Sequence, residues 1–308
     1  MVDNLVSLPT FARLSERVWR VLGLNPGKFT LQGTNTYILG TGARKLLIDA
    51  GQGIPEYVPL LEESLKSISP NAYISDIIVT HAHPDHFGGL KDILASSILN
   101  SRRNIRIHKY PASSKNAEGH RGFPQDVPFS PLQDNQVFKI DPSLTLRVLY
   151  TPGHTKDHCT FLLEEEQSLF TADCVLGQGT AVFEDLSEYL EGLHRLVSLE
   201  PKRLYPGHGP VVEDGVTRIN EYIQHREERE KQVVNVMTSE GPDKTWSATD
   251  IAGKIYQGLP TTLFLAATRG IVLHLLKLEK DGKVRLTEGT SEGSDVMDLI
   301  DKEWRWIG

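Results

Sequence analysis

The chain has 308 residues, 39% hydrophobic and 24% charged, so it can bury a sizeable core, with one large domain and a small one expected. A formal net charge of −7 excludes a global attraction to nucleic acid, and only two cysteines, Cys159 and Cys174, exclude a disulfide framework and suit a reducing compartment. No apolar run approaches the length of a membrane span, and the start lacks a signal-peptide core; the cytoplasm is the expected location, with a mitochondrial leader around Arg13, Arg17 and Arg20 as the alternative.

Residues 15–50 alternate apolar and polar side chains around Gly and Asn turns, as hairpin strands do. The run Leu46-Leu47-Ile48 ends in Asp49, which reads either as a turn residue before Gly51 or as the partner that fixes a ligand imidazole. From about 55 to 100 the pattern is helix, strand, loop, helix. Ser75-Asp76-Ile77-Ile78-Val79 is a short buried strand, and the loop that leaves it places His81, His83, Asp85 and His86 within six positions. Imidazole and carboxylate form the preferred ligand set of Zn²⁺, and of Mn²⁺ and Fe²⁺ in less closed sites. Alternate residues can face different ways, so this one loop can serve two adjacent metals.

Three later apolar runs end in further candidates. Leu146–Tyr150 leads to Thr151-Pro152-Gly153-His154, Ser168–Thr171 leads to Ala172-Asp173, and Arg203–Tyr205 leads to Pro206-Gly207-His208-Gly209-Pro210. Alone, Asp173 would read as a cap and His154 as a core histidine; their shared position after a strand is where open α/β sheets build sites. Residues 110–135 hold four prolines and two glycines and are expected to form an insertion loop; before it, Arg102, Arg103, Arg106 and Lys109 form a basic cluster that reads as a solvated loop or, alternatively, as a local basic strip.

A helix is expected near Asp185–Leu196, then a long charged helix from Thr217 to Met237. On it His225-Arg226 is either a solvated face or a site-lining pair. Ser247-Ala248-Thr249-Asp250 caps a helix ending near Gly258. Another runs from Thr262 to Lys280 into Asp281-Gly282-Lys283, expected as a hairpin turn. Three helices and a β-ribbon make a small winged-helix-like module. Its would-be reading helix offers Leu263, Phe264, Leu265, Ile271, Val272 and Leu275, core material and not a reader of DNA grooves. The expected domains are 1–229, 230–287 for the module, and 288–308 as a tail.

The His-x-His-x-Asp-His run, the distant Gly-His, the Asp and the Gly-His-Gly together resemble the metallo-β-lactamase superfamily. The resemblance implies an α/β fold, an αββα sandwich with metals at one edge. One metal would sit on His81, His83 and His154, the other on Asp85, His86 and His208, with Asp173 bridging them. NPGKFTLQGTNTY over 25–37, Thr151–Thr155, Tyr205–Pro210 and His225–Glu230 look like the β-lactamase-like protein 2 group. That group holds metal-dependent endoribonucleases for single-stranded RNA and fungal thioesterases that release polyketide chains from acyl carrier domains. Ala50, Ala82, Pro84 and Ala172 depart from its pattern, the last standing where Gly is usual.

The implied enzyme is a dinuclear metal-dependent hydrolase, its cofactors two zinc ions with Mn or Fe as alternatives. A metal-bound hydroxide oriented by Asp85 would attack a carbonyl or phosphoryl centre. The acidic balance and the NPGKFTLQGTNTY wording favour a thioesterase acting on an acyl carrier protein or another acyl thioester. The alternative partner is RNA.

Overall fold

The computed structural model describes residues 5–102, 104–111, 122–241 and 243–308. Arg103 and 112–121, the middle of the expected insertion loop, lie outside the described residues. Two compact units emerge: 1–183 with 191–220, and 184–190 with 221–308.

The first unit holds two sheets. Strands β1 (Phe11–Arg13), β2 (Val18–Leu22), β3 (Asn35–Leu39), β4 (Arg44–Ile48), β5 (Tyr73–Val79), β6 (Arg106–Lys109) and β7 (Ser130–Pro131) lie side by side in sequence order. The second sheet has the order β12-β11-β10-β9-β8, from β8 (Val137–Asp141), β9 (Leu144–Tyr150), β10 (Cys159–Leu163), β11 (Ser168–Ala172) and β12 (Arg203–Pro206). Tyr37, Leu39, Leu46, Ile48 and Ile78 of the first sheet share one core with Leu146, Val148, Phe161, Phe170 and Tyr205 of the second. Face-to-face burial of this kind is what makes a sandwich.

Helices α1 (Tyr57–Ile68), α2 (Pro84–Phe87) and α3 (Leu90–Ala95) follow β4 and β5. Tyr57, Leu61, Leu90 and Ile93 pack with Ile38, Leu47 and Ile77 into the core on the opposite face of the first sheet. Over the second sheet, α4 (Leu186–Val197) is tied to β9 by a hydrogen bond from Arg195 Nη1 to Tyr150 O at 3.0 Å. The layers are helix, sheet, sheet, helix.

Strand direction decides where the site forms. β4 and β5 are parallel, as are β11 and β12, and β9 runs the same way as β11 because both are antiparallel to β10. The carboxyl ends of β4 and β5, and of β9, β11 and β12, therefore release Asp49, the His81 loop, His154, Asp173 and His208. Two of these exits are tight: Asp49 has φ 61° and Ala172 φ 43°. Asp tolerates left-handed backbone; for Ala172 it costs about 1 kcal/mol, which explains why glycine suits that position better.

Among the described residues of the basic cluster, each charge has a partner close by. Lys109 is fully buried, its Nζ 2.5 Å from Asp157 Oδ2, and Arg106 is paired with Asp76 at 2.9 Å. Arg102 stacks over Tyr73 at 3.7 Å. The parallel run of β6 carries Lys109 inward, where the spacing of charges along the sequence suggested a solvated loop.

The second unit contains the greater part of α5 (Gly215–Thr238), β13 (Thr245–Trp246), α6 (Ala248–Ile255), α7 (Thr261–Lys280), β14 (Val284–Leu286) and β15 (Trp304–Trp306). Ser247 caps α6 in a reciprocal capping box with Asp250, as its sequence predicts. Asp281-Gly282-Lys283 is not a hairpin turn: it closes α7, with Lys283 N–H donating to Leu278 O at 2.9 Å. The helix runs up to Lys280 and leaves no strand on that side. Instead β14 pairs with β15, which lies between β14 and β13. Residues 288–308, expected as a separate tail, thus supply the central strand, with Trp304 fully buried.

Among the described residues, α7 is long and apolar enough to cross a membrane, contrary to the expectation that no run comes close. Its Ile271, Val272, Leu275 and Leu278 are the core of this unit, together with Val233, Ile251 and Trp304. Phe264 packs against this core as a partly buried side chain, whereas Leu265, expected there too, is 56% exposed.

Candidate metal centre

Seven side chains from four loops converge into two donor groups. His81, His83, His154 and Asp173 form one that could hold a metal ion, and Asp85, His86 and His208 form another. In the first, His83 Nδ1 lies 2.9 Å from His81 Nε2 and 3.1 Å from His154 Nε2, and Asp173 Oδ2 lies 3.6 Å from His154 Nε2 and 4.0 Å from His81 Nε2. In the second, Asp85 Oδ2 lies 3.3 Å from both His86 Nε2 and His208 Nε2. The other oxygen of Asp173, Oδ1, lies 3.3 Å from the same two nitrogens. One carboxylate thus offers an oxygen to each group.

These spacings test whether a metal fits. Zinc bonds of about 2.0–2.1 Å in a tetrahedron put neighbouring donors about 3.3–3.4 Å apart. The second group matches that edge four times, and the first brackets it. Two of the atoms, His86 Nε2 and Asp173 Oδ1, are buried and make no hydrogen bond although they are close to one another. They are aimed at a common point. Buried polar atoms left this way call for an ion or an unseen donor.

The outer nitrogens fix the tautomers. His154 Nδ1 faces Val182 O at 2.8 Å and His208 Nδ1 faces Gly33 O at 3.4 Å. A carbonyl only accepts, so both rings carry a proton on Nδ1 and turn Nε2, the atom free to ligate a metal, inward. His86 Nδ1 donates to Asp49 Oδ2 at 2.7 Å; Thr80 N–H and Oγ1 hold that carboxylate at 2.8 and 3.1 Å. Asp49 therefore sits where an orienting partner of His86 belongs.

Charge separates the groups. Burial, then the neighbouring imidazole of His154, pushes His83 down to about 4; burial also lowers His81 and His154. Burial would lower His208 too, but Asp173 and Asp85 outweigh it and raise the ring to about 9. Burial would raise the Asp85 carboxyl, yet His86 and His208 hold it far below the ordinary carboxylate range.

His225 lies on α5 in the second unit, its Nδ1 3.3 Å from Arg226 Nη1, and it lines a surface groove with Glu221, Glu228 and Lys231. Ala82 packs against the core behind the sheet and Pro84 opens α2, so these two departures leave the donors untouched. Sequence reasoning missed Asn25, Thr34 and His158. His158 is fully buried with its ring 5.2 Å from that of His81, and its position four residues after His154 is the only signal that marked it.

A close approach makes Gly207 a sensitive position. A Cβ there would stand 2.4 Å from Asp173 Oδ1 and 3.0 Å from Ala172 C. Gly207→Ala is expected to displace the shared carboxylate and weaken metal binding by roughly 10–100-fold, as loss of a supporting contact does; metal content after dialysis against a buffered chelator measures it.

The donors open into a cleft of about 430 Å³, lined by Lys28, Phe29, Leu31, Leu176, Ala181 and Val182 among others. Phe29 and Val182 are largely exposed at its mouth.

Comparison with known proteins agrees with this architecture. Residues 247–292 match the beta-lactamase associated winged helix domain. A beta-lactamase-like protein 2 homolog of Drosophila melanogaster is 39% identical over 286 residues, 92% of this chain and 95% of the fly protein. An atrochrysone carboxyl ACP thioesterase of Aspergillus novofumigatus is 42% identical over 234 residues, 76% of this chain and 67% of that protein. The crystal structure of a beta-lactamase domain protein from Burkholderia ambifaria shares the fold at a TM-score of 0.76, with 21% identity and coverage of 99% of this chain and 96% of that one. With residues 29–208 matching its defining domain and the donor groups lying at the strand ends of its sandwich, the chain belongs to the metallo-beta-lactamase superfamily.

Proposed function

We propose that this chain is a metal-dependent thioester hydrolase that releases an acyl chain from an acyl carrier. The cleft lining carries the reading. Phe29, Leu31, Leu176, Ala181 and Val182 stand beside the two donor groups, and among the described residues lining the cleft Lys28 is the one lysine or arginine. Apolar walls stabilise a bound hydrocarbon by roughly 25 cal/mol per Å² removed from water. A nucleic-acid strand calls instead for a basic groove with stacking aromatics. The Aspergillus relative, named as an ACP thioesterase, supports the same substrate class.

His81, His83, His154 and Asp173 would hold one divalent ion and Asp85, His86, His208 and Asp173 the other, with zinc suited to this N/O set and Mn or Fe as alternatives. Bound there, such ions supply Lewis acidity and lower the pKa of water from about 15.7 to about 7. The chain's own residues do the rest. Asp85, ionised and lining the cleft, orients the attacking water. Asp49 holds the His86 ring, and Asp173 sets the spacing of the two groups. Phe29 and Val182 at the mouth shield the thioester from bulk water once an acyl chain lies between them.

The test pairs substrates and variants. Purified protein is assayed on an acyl-thioester panel and on unstructured RNA, with metal and with chelator, beside Asp85→Asn. Metal-dependent thioester turnover is expected, falling by about 10²–10⁴-fold in Asp85→Asn, the range of positioned acid–base groups. RNA cleavage without thioester turnover would transfer the assignment to an endoribonuclease.

A further inference from the structure

Each residue of Gly33-Thr34-Asn35 holds part of the second donor group. Thr34 Oγ1 donates to Asp85 Oδ2 at 3.0 Å. Gly33 O receives His208 Nδ1–H. Asn35 brackets the His208 turn: its backbone N–H donates to Gly207 O at 2.7 Å, and its Nδ2 donates to Pro206 O at 2.8 Å and Gly209 O at 2.9 Å.

The direction of the Thr34 bond is fixed from outside. Asn25 Oδ1 accepts the Thr34 backbone N–H at 2.8 Å, which settles the orientation of its amide. Its Nδ2 must then donate, to Thr34 Oγ1 at 3.0 Å and Gln52 Oε1 at 2.9 Å. A hydroxyl that already accepts from an amide has its single proton left for Asp85. Asn25, Thr34 and Asn35 are all buried, so these bonds compete little with water.

The first group is built differently. His81 Nδ1 rests on Thr80 Oγ1 at 2.9 Å and His154 on Val182 O. Among the described residues, the hydrogen bonds of Gly33, Thr34 and Asn35 to Asn25, Asp85 and the His208 turn touch none of its four donors; Asp173 is the one side chain that the two groups share.

We propose that Asn25 and Thr34 are positioning residues that act through Asp85 to set the affinity of the second metal position, independently of the first. The proposal rests on the metal-dependent reading above and makes the two positions separable: the Asn25–Thr34 relay tunes whether the chain carries one ion or two. Gly33 is fixed in the same device, since its φ of 120° is one that side chains rarely adopt.

The experiment titrates cobalt(II) into the chelator-stripped full-length protein and follows binding by visible absorbance and calorimetry. Two equivalents are expected for the parent chain. Thr34→Val should weaken the second equivalent by about 10–100-fold and leave the first unchanged, which also reports that the fold is intact. Thr34→Ser, which keeps the hydroxyl, should restore both. Asn25→Ala should weaken the second equivalent in the parent background and add nothing in Thr34→Val, because its effect passes through that hydroxyl. Equal affinity for the second equivalent in Thr34→Val, or an undiminished Asn25 effect in that background, overturns the relay while leaving the metal-dependent reading standing. A parent chain that binds no cobalt overturns both.

Discussion

Asp173→Ala is expected to remove both metal positions and lower hydrolysis well beyond the roughly 10–100-fold that loss of an outer supporting contact costs. The reason is geometric. Oδ2 serves the first group at 3.6 and 4.0 Å from its histidine nitrogens, and Oδ1 serves the second at 3.3 Å from two more. Among the described residues, no other contributes to both sets. Removing it lowers each from four donors to three and takes away a charge that the His86 and His208 rings face. Asp173→Asn is expected to fall between the two, retaining one oxygen but not the shared negative charge. Metal content by elemental analysis and kcat/KM on a thioester measure the effect together. Full occupancy with parent turnover in Asp173→Ala would remove this residue from the chemistry altogether.

The largest expected effect on stability lies away from the two donor groups. Lys109 and Asp157 are both fully buried, and Thr155 Oγ1 supplies Asp157 Oδ1 with a hydrogen bond at 2.8 Å. Lys109 also stands over the rings of Phe123 and Phe129, at 5.7 and 5.9 Å. Lys109→Met keeps the aliphatic stem and strands the carboxylate in a medium that solvates it poorly. Breaking one side of such a pair costs about 3–5 kcal/mol. At about 2–4 °C per kcal/mol for a unit of this size, the melting temperature should drop by roughly 6–20 °C. Adding Asp157→Leu should recover much of the loss, since it is the orphaned charge and not the lost attraction that dominates. A single variant that melts with the parent chain would show that water reaches Asp157.

The same pair shows how a sequence can mislead. Four basic residues between 102 and 109 look like a surface strip, but the inward face of β6 takes Lys109 out of solvent and Asp76 neutralises Arg106. Nothing local signals this, because the partner of Lys109 lies in a distant loop after β9. The β15 strand is another case. Trp304-Arg305-Trp306 pairs with Thr245 and Trp246 on one side and Val284 to Leu286 on the other, and no turn links them to announce it.

Asn25, Thr34 and Asn35 were hidden for a different reason. Polar residues among glycines are what any turn contains, so their local chemistry is the chemistry of turns. Only the return of the chain to Asp85 and His208 gives them a second meaning. Asp49 was half legible: its place after an apolar run allowed an orienting role, and the bond to His86 chose between that and a plain turn.

The sequence by itself determined the donors and the elements that carry them. The identity of each ligand type, the apolar run before each loop, the capped start of α6 and the apolar half of α7 are properties of short segments, written in residue chemistry and periodicity. The tertiary structure decided which atoms of those donors face one another: Nδ1 for His83 but Nε2 for His81, one oxygen of Asp173 for each group, and the hydroxyl of Thr34 for Asp85. Those choices depend on strand register and on the direction in which buried hydrogen bonds must run. Both are set by contacts between segments far apart in the chain.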